Sequence, residues 1–323
     1  MPVQYRGSMS VFTAVDEVAL QGFLQDYPQL GVLHALKPIT SGIENSNFFL
    51  DVDAGSFVLT LFETVGAADL PYFLGLMAFL AGRGLPVPQP VVNRQGTTWG
   101  TLCGRPAALV SRLPGMSLEQ PDAAACRMVG AFLGQMHLLA RDFPMQRCNA
   151  RDLAWCQQTA QRLLAHLSPE ERSLVCDELR FQASVVTTAL PQGPIHGDLF
   201  CDNVLFDAGH IGGVIDFYYA CNEAWLYDLA VMVNDWCRKP AGTLDGHLVE
   251  AVVQGYTPLR PLSVAERCCW GAMLRRAALR FWLSRAADWH FPRPGPMTYQ
   301  KDPLPMRALL EQHRTFVAEL PLG

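Results

Sequence analysis

Apolar residues recur at period two through much of the stretch up to about residue 111 and at helical period through most of the remainder. The two periods belong to a half-buried sheet and to amphipathic helices respectively, so the pattern calls for a sheet-bearing region followed by a larger helical one. Phe48 to Val52 and Phe57 to Phe62 read as two strands joined by the turn Asp53-Ala54-Gly55. Ahead of them Thr13, with Asp16 three residues on, is placed to cap a first helix running to about Tyr27. Asp69 is placed to cap a second, which Gly84 stops. The proline-spaced run Leu85 to Pro90 must be extended, and further strands are expected at Val91-Val92, Thr97 to Thr101 and Ala107 to Ser111. Leu113-Pro114-Gly115 closes the sheet region with a turn signal. The expected organisation is an α+β chain with an N-terminal lobe over 1–112, built on an antiparallel sheet, and a mainly helical C-terminal lobe over 113–323. Helices are expected near 121–140, 152–166, 170–190, 224–238, 245–255 and 263–289, interrupted by one short strand-bearing segment between Pro194 and Tyr219.

A chain of 323 residues is long enough for two such cores. Half its residues are hydrophobic and 17% are charged, the balance of a well-packed globular protein. With a formal net charge of −5 it offers no basic stripe for a row of phosphates, so nucleic acid is not an expected partner. No apolar stretch reaches the ~20 residues of a membrane span, and no signal peptide opens the chain, so neither membrane nor secretion is expected. Ten cysteines without a C-x-x-C pair or zinc-ligand spacing read as reduced thiols in a cytoplasm. Residues 1–8 read as a leader ahead of Met9, with Gly7-Ser8-Met9 as a cloning scar.

The chemistry concentrates in Ile195-His196-Gly197-Asp198-Leu199-Phe200-Cys201-Asp202-Asn203, followed by Val214-Ile215-Asp216-Phe217. A carboxylate and an amide five residues apart on a loop entering a hairpin, with a second carboxylate after the return strand, can converge on one point. Such hard oxygen donors suit Mg²⁺, which takes one or two carboxylates plus substrate phosphates. Each residue alone could equally be a turn or cap residue.

Taken together, H-G-D-x-x-x-x-N and the later I-D-F form the catalytic-loop and metal-loop signature of kinases. The chain resembles the aminoglycoside phosphotransferase and choline kinase superfamily, whose loop reads H-G-D where protein kinases read H-R-D. Ile43-Glu44-Asn45-Ser46-Asn47 sits where that superfamily has its phosphate loop, and Asp228-Leu229-Ala230 looks like its structural D-L-A. Asn45 to Phe49, Val58 to Glu63 with Leu70 to Met77, and Ala278 to Trp282 with Ser284-Arg285 are similar to the bacterial homoserine kinases within it. The resemblance implies a two-lobed, protein-kinase-like fold. It implies transfer of the γ-phosphoryl group of ATP, with Mg²⁺, to the side-chain hydroxyl of L-homoserine, a step of threonine biosynthesis. Carried over, Asp198 would accept the hydroxyl proton and touch the substrate, His196 would orient the loop beside it, and Asn203 and Asp216 would hold the metal. Asp228 would be structural. Asn45, Ser46 and Asn47 would offer loop amides to phosphate, and Val58, Thr60, Ser111 and Leu113 would serve the nucleotide.

One departure stands out. Many kinases carry a phosphate-binding Lys on the third strand, paired with a helix Glu. Here Thr60 falls at that position, and the helix after Asp69 has no Glu. Losing both partners leaves no uncompensated charge. For an amino acid acceptor, Arg276 and Arg280 share a helix face and could grip a carboxylate, with Arg280 favoured, unless they form a solvated face. Glu223 and Asp235 are candidates for an ammonium group. Another aminated alcohol such as choline or an aminoglycoside is the alternative acceptor, and a nucleotide-binding pseudokinase is the alternative to an enzyme.

Overall fold

The computed structural model describes residues 13–39, 44–239, 242–292, 300–315 and 320; the proposed leader, 1–8, and Ile43 lie outside them. The chain divides into two compact units, with the division between Leu113 and Pro114.

In the first unit α1 (Glu17–Leu24) precedes β1 (Leu33–Pro38), β2 (Ser46–Val52) and β3 (Gly55–Leu61), then α2 (Leu70–Ala81), β4 (Gly100–Leu102) and β5 (Arg105–Ser111). The five strands form one antiparallel sheet in the order β1-β2-β3-β5-β4. Leu50, Leu59, Leu61 and Leu109 point into a core closed by Leu20, Phe23 and Tyr27 from the α1 region. The expected hairpin is present, with Val52 opposite Gly55. Thr13 does not cap α1. Asp16 itself holds that position and accepts from the Ala19 amide at 2.7 Å, while the Thr13 amide donates to Ser46 Oγ. Strand β1 was not expected, because its alternation is weak: only half of its residues are even partly buried, and Pro38 ends it. Val91-Val92 is not a strand; the chain there only touches β5, through a single bridge from Pro90 to Val110.

In the second unit come α3 (Ala123–Ala140), α4 (Leu153–Leu163), α5 (Pro169–Ser184), β6 (Gln192–Ile195), β7 (Val204–Asp207), β8 (His210–Val214), β9 (Cys221–Ala224), α6 (Trp225–Trp236), α7 (Gly246–Tyr256), α8 (Val264–His290) and α9 (Leu304–Thr315). Helices α3, α4, α5, α7 and α8 begin at side-chain caps: Asp122, Asp152, Ser168, Asp245 and Ser263 each accept from an amide of the first turn. By length and apolarity α3 could cross a membrane, yet 56% of it is buried within the fold. Its partner is α7, and the two backbones nearly touch. A methyl group on Gly130 would lie 2.3 Å from the Val252 carbonyl oxygen, and one on Gly255 would lie 2.0 Å from that of Arg127. Two short antiparallel pairs, β6 with β9 and β7 with β8, punctuate the helices. The second was expected. The first was not, since β6 and β9 are four residues each and too short to show a period.

Candidate active site

The loop that leaves β6 is suspended from one helix. Asp228, in the first turn of α6 and fully buried, accepts from the His196 amide through Oδ2 and from the Gly197 amide through Oδ1, both at 2.8 Å. Seven residues on and on the same face, Asp235 Oδ2 accepts from the Cys201 amide at 2.8 Å, and the Trp236 indole donates to the Leu199 carbonyl at 3.0 Å. These contacts hold the loop from His196 to Cys201 by its backbone, leaving side chains free to face elsewhere. Asp235, expected as an ammonium partner, is instead an anchor of this loop.

Gly197 has φ +78°, and a methyl group there would lie 2.8 Å from the Tyr219 carbonyl oxygen, so conformation and space both demand glycine. The fully buried His196 ring bridges two backbones: Nδ1 accepts from the Asp198 amide at 3.2 Å, and Nε2 lies 3.0 Å from the Ile215 carbonyl, to which it must donate. This arrangement requires the neutral imidazole with its proton on Nε2, and burial, which lowers the His196 pKa, favours that form. The His196 ring thus links the backbone of the loop at Asp198 to that of Ile215.

Asn203 donates from Nδ2 to the Asp198 carbonyl at 2.8 Å and to Asp198 Oδ2 at 3.1 Å. Its own backbone carbonyl accepts from the Ile215 amide, which ties the loop to the residue before Asp216. With the amide nitrogen turned to Asp198, the Asn203 side-chain oxygen faces away as a hard donor. Asp216 adopts the left-handed conformation, φ +65° and ψ +59°, an arrangement aspartate tolerates better than most residues. Burial pushes the Asp198 carboxyl up to about 8, with Arg280 drawing it down and Asp216 pushing it up. Its side chain keeps 17% of its surface exposed, so a ligand can reach it and water screens part of that shift. No group of three or more His, Cys, Asp or Glu suited to a metal occurs among the described residues. Asp216 and Asn203 offer a carboxylate and an amide oxygen, a donor set that fits a divalent ion completed by phosphates.

On α8, Arg275 forks onto the buried Glu178. Arg276 and Glu223, expected as separate ligands of a substrate, are paired with each other at 2.6 Å, and Asn149 also donates to Glu223. Arg280 is buried, 3.9 Å from Asp198 Oδ1, with its guanidinium against the rings of Phe281 and Tyr219. In the first unit, Ser46 is buried, donates to Glu63 Oε1 at 2.7 Å and accepts from Thr13. Asn45 accepts from the Glu63 amide at 3.4 Å. Ser46 and Asn47 are the first residues of β2, so their backbones belong to the ladder with Leu61 and Thr60 rather than to an open loop. Thr60 is buried and donates to Asn47 Oδ1 at 2.8 Å. A neutral pair thus fills the position where a lysine was looked for. Val58 is half-buried between Phe49 and Val110, Ser111 Oγ accepts from the Gln89 amide, and the half-buried Leu113 is the last residue before the division.

A model of the phosphotransferase enzyme family matches residues 35–262. The chain belongs to that family. This phosphotransferase is 46% identical to a homoserine kinase of Methylobacillus flagellatus over 94% of its own length and 95% of the relative's. It is 45% identical to one of Cupriavidus pinatubonensis, with 96% and 98% covered, and 42% identical to one of Burkholderia mallei, with 97% and 98% covered. Among solved structures it is similar to an amicoumacin kinase bound to AMP-PNP and Ca²⁺, with a TM-score of 0.71 at 14% identity over 94% of this chain and 95% of that one. A choline kinase of Cryptosporidium parvum gives 0.66 at 13% identity, with 93% and 95% covered. The phosphotransferase therefore has the two-lobed, kinase-like α+β fold that its motifs implied.

Sequence reading missed a buried network behind Asp228. Among these groups the donors run one way: Arg260 donates to the Tyr256 hydroxyl at 2.9 Å, that hydroxyl lies 2.7 Å from His137 Nδ1, and His137 Nε2 lies 3.1 Å from Asp228. Arg260 is itself paired with Glu266. Burial acts to raise the Asp228 pKa, but the hydrogen bond from His137 and those from the loop amides bring it below the usual carboxylate range. The one legible signal was Ser263-x-x-Glu266, the capping box of α8; nothing in that spacing reveals that Glu266 also holds Arg260.

Proposed function

We propose that the protein is a homoserine kinase, transferring the γ-phosphoryl group of ATP to the side-chain hydroxyl of L-homoserine to yield O-phospho-L-homoserine and ADP in the threonine pathway of the cytoplasm. The observation that carries this reading is the near-full-length identity of 42–46% to three homoserine kinases, joined to a loop in which Asn203 and Arg280 both meet Asp198. The acceptor hydroxyl lies on Asp198, whose ionised form takes its proton as the oxygen forms a bond to the γ-phosphorus and the bond from that phosphorus to the bridging oxygen of ADP breaks. Because the transition state of such transfers is loose, alignment and charge neutralisation matter more than proton removal. Asn203 and Asp216 would hold Mg²⁺, whose chemistry is to neutralise the phosphates. Neutral His196 and the α6 anchors keep Asp198 in line, so little reorganisation is left for the reacting complex.

The test is ADP release with L-homoserine beside L-serine, choline and an aminoglycoside. L-homoserine is expected to be the preferred acceptor, with L-serine, one methylene shorter, roughly 10- to 200-fold poorer in kcat/KM. Failure of L-homoserine to elicit ADP, or parity with choline, would sink the reading. The metal assignment has its own check. Asp216→Ala is expected to abolish the tightening of ATP binding by Mg²⁺ in calorimetry, because it removes the one charged ligand of the set; a normal Mg²⁺ effect in that variant places the ion elsewhere.

A further inference from the structure

The second unit contains a small cleft, open to solvent. Gly197, adjacent to Asp198, lines it together with Asn149, Arg151, Tyr219 and Arg280, and both guanidinium groups lie against the Tyr219 ring. Resting on the homoserine kinase reading, we infer that Arg151 is the residue that binds the α-carboxylate of the acceptor in this cleft and so selects an amino acid over a simple amino alcohol.

Three observations carry this. The Arg151 guanidinium makes no hydrogen bond or ion pair among the described residues, in contrast to Arg275 and Arg276, which are paired with Glu178 and Glu223. It lies on aromatic surface instead, 4.6 Å from the Trp155 ring centroid and 5.9 Å from that of Tyr219, leaving its donor edge for a ligand. Its backbone is built into place: the Arg151 amide donates to Asn149 Oδ1 at 2.8 Å, and Asn149 Nδ2 donates to Glu223, which Arg276 holds. Arg280 by contrast already faces a carboxylate, 3.9 Å from Asp198 Oδ1, whereas the carboxylate of homoserine lies roughly 5 Å along the chain from its hydroxyl. The inference thus moves the carboxylate contact from Arg280, the favoured of the two candidates Arg276 and Arg280, to Arg151, and leaves Arg280 beside Asp198.

The experiment compares L-homoserine with 3-aminopropan-1-ol, which has the same amine and hydroxyl and lacks only the carboxylate. Arg151→Ala is expected to raise the L-homoserine KM about 10- to 100-fold, the scale of a charge-assisted contact, with the ATP KM within about twofold of the parent. The preference for L-homoserine over aminopropanol, as a ratio of kcat/KM, should fall by the same factor. Arg151→Lys, which keeps the charge and loses the fork, should fall between. Arg151 is half-exposed, and a thermal melt verifies the fold of each variant. An unchanged preference ratio in Arg151→Ala overturns the inference, as does a rise of L-homoserine KM confined to Arg280→Lys. Absence of L-homoserine phosphorylation by the unmodified protein is a different result, which removes the functional reading itself.

Discussion

Asp198→Asn should lower kcat about 100- to 10,000-fold while leaving the ATP Kd within about twofold, the range over which a positioned general base contributes. Asparagine is nearly isosteric and can still accept from Asn203 Nδ2, now 3.1 Å from Asp198 Oδ2, so the loop geometry should survive. What is lost is the acceptor for the hydroxyl proton and the negative charge facing Arg280. Single-turnover phosphoryl transfer and ATP calorimetry on the same preparation separate chemistry from nucleotide binding. Turnover within tenfold of the parent would show that the proton leaves by another route and that Asp198 only positions the acceptor. A parallel loss of ATP affinity would show that it serves the metal instead.

The second large effect is expected on folding. Asp228→Ala removes the acceptor of three buried donors at once, the amides of His196 and Gly197 and the ring of His137. Each orphaned buried donor costs about 1–3 kcal/mol, so together they approach a typical net stability of about 5–15 kcal/mol. The variant is expected to be largely unfolded or to lose several kcal/mol in urea titration, with catalysis lost through the loop. Asp228→Asn, which keeps one carbonyl acceptor, should be the milder change. An Asp228→Ala variant with the parent's urea midpoint would mean that the network does not support the fold. The mechanism would then have to place the catalytic loop by Asp235 and Trp236 alone.

Legibility in this protein follows distance along the chain. Asp198 and Asn203 lie on one loop, and Asp216 follows a hairpin whose pairing Val204 with Val214 is dictated by the Asp207-Ala208-Gly209 turn. Such an arrangement is set by local geometry, which a motif can carry. Helix spans in the second unit were legible because periodic apolar faces are also local. By contrast β1, β6 and β9 take their identity from partners across the sheet, which no short window contains.

The sequence by itself determined the order of the two regions, the chemistry of the catalytic loop and the absence of a lysine at Thr60, since each rests on residue type and nearby spacing. Only the tertiary structure decided which arginine meets which acid. Arg275, Arg276 and Arg280 share one helix, and successive positions on it turn by about 100°, so spacing assigns them to faces but says nothing of what lies opposite. Glu178 from α5, Glu223 from β9 and Asp198 from the catalytic loop take them one by one. Arg151, off that helix, is left facing the cleft. Buried charges require partners, and those partners come from chain segments up to 97 residues away, so the assignment exists only once packing has brought them together.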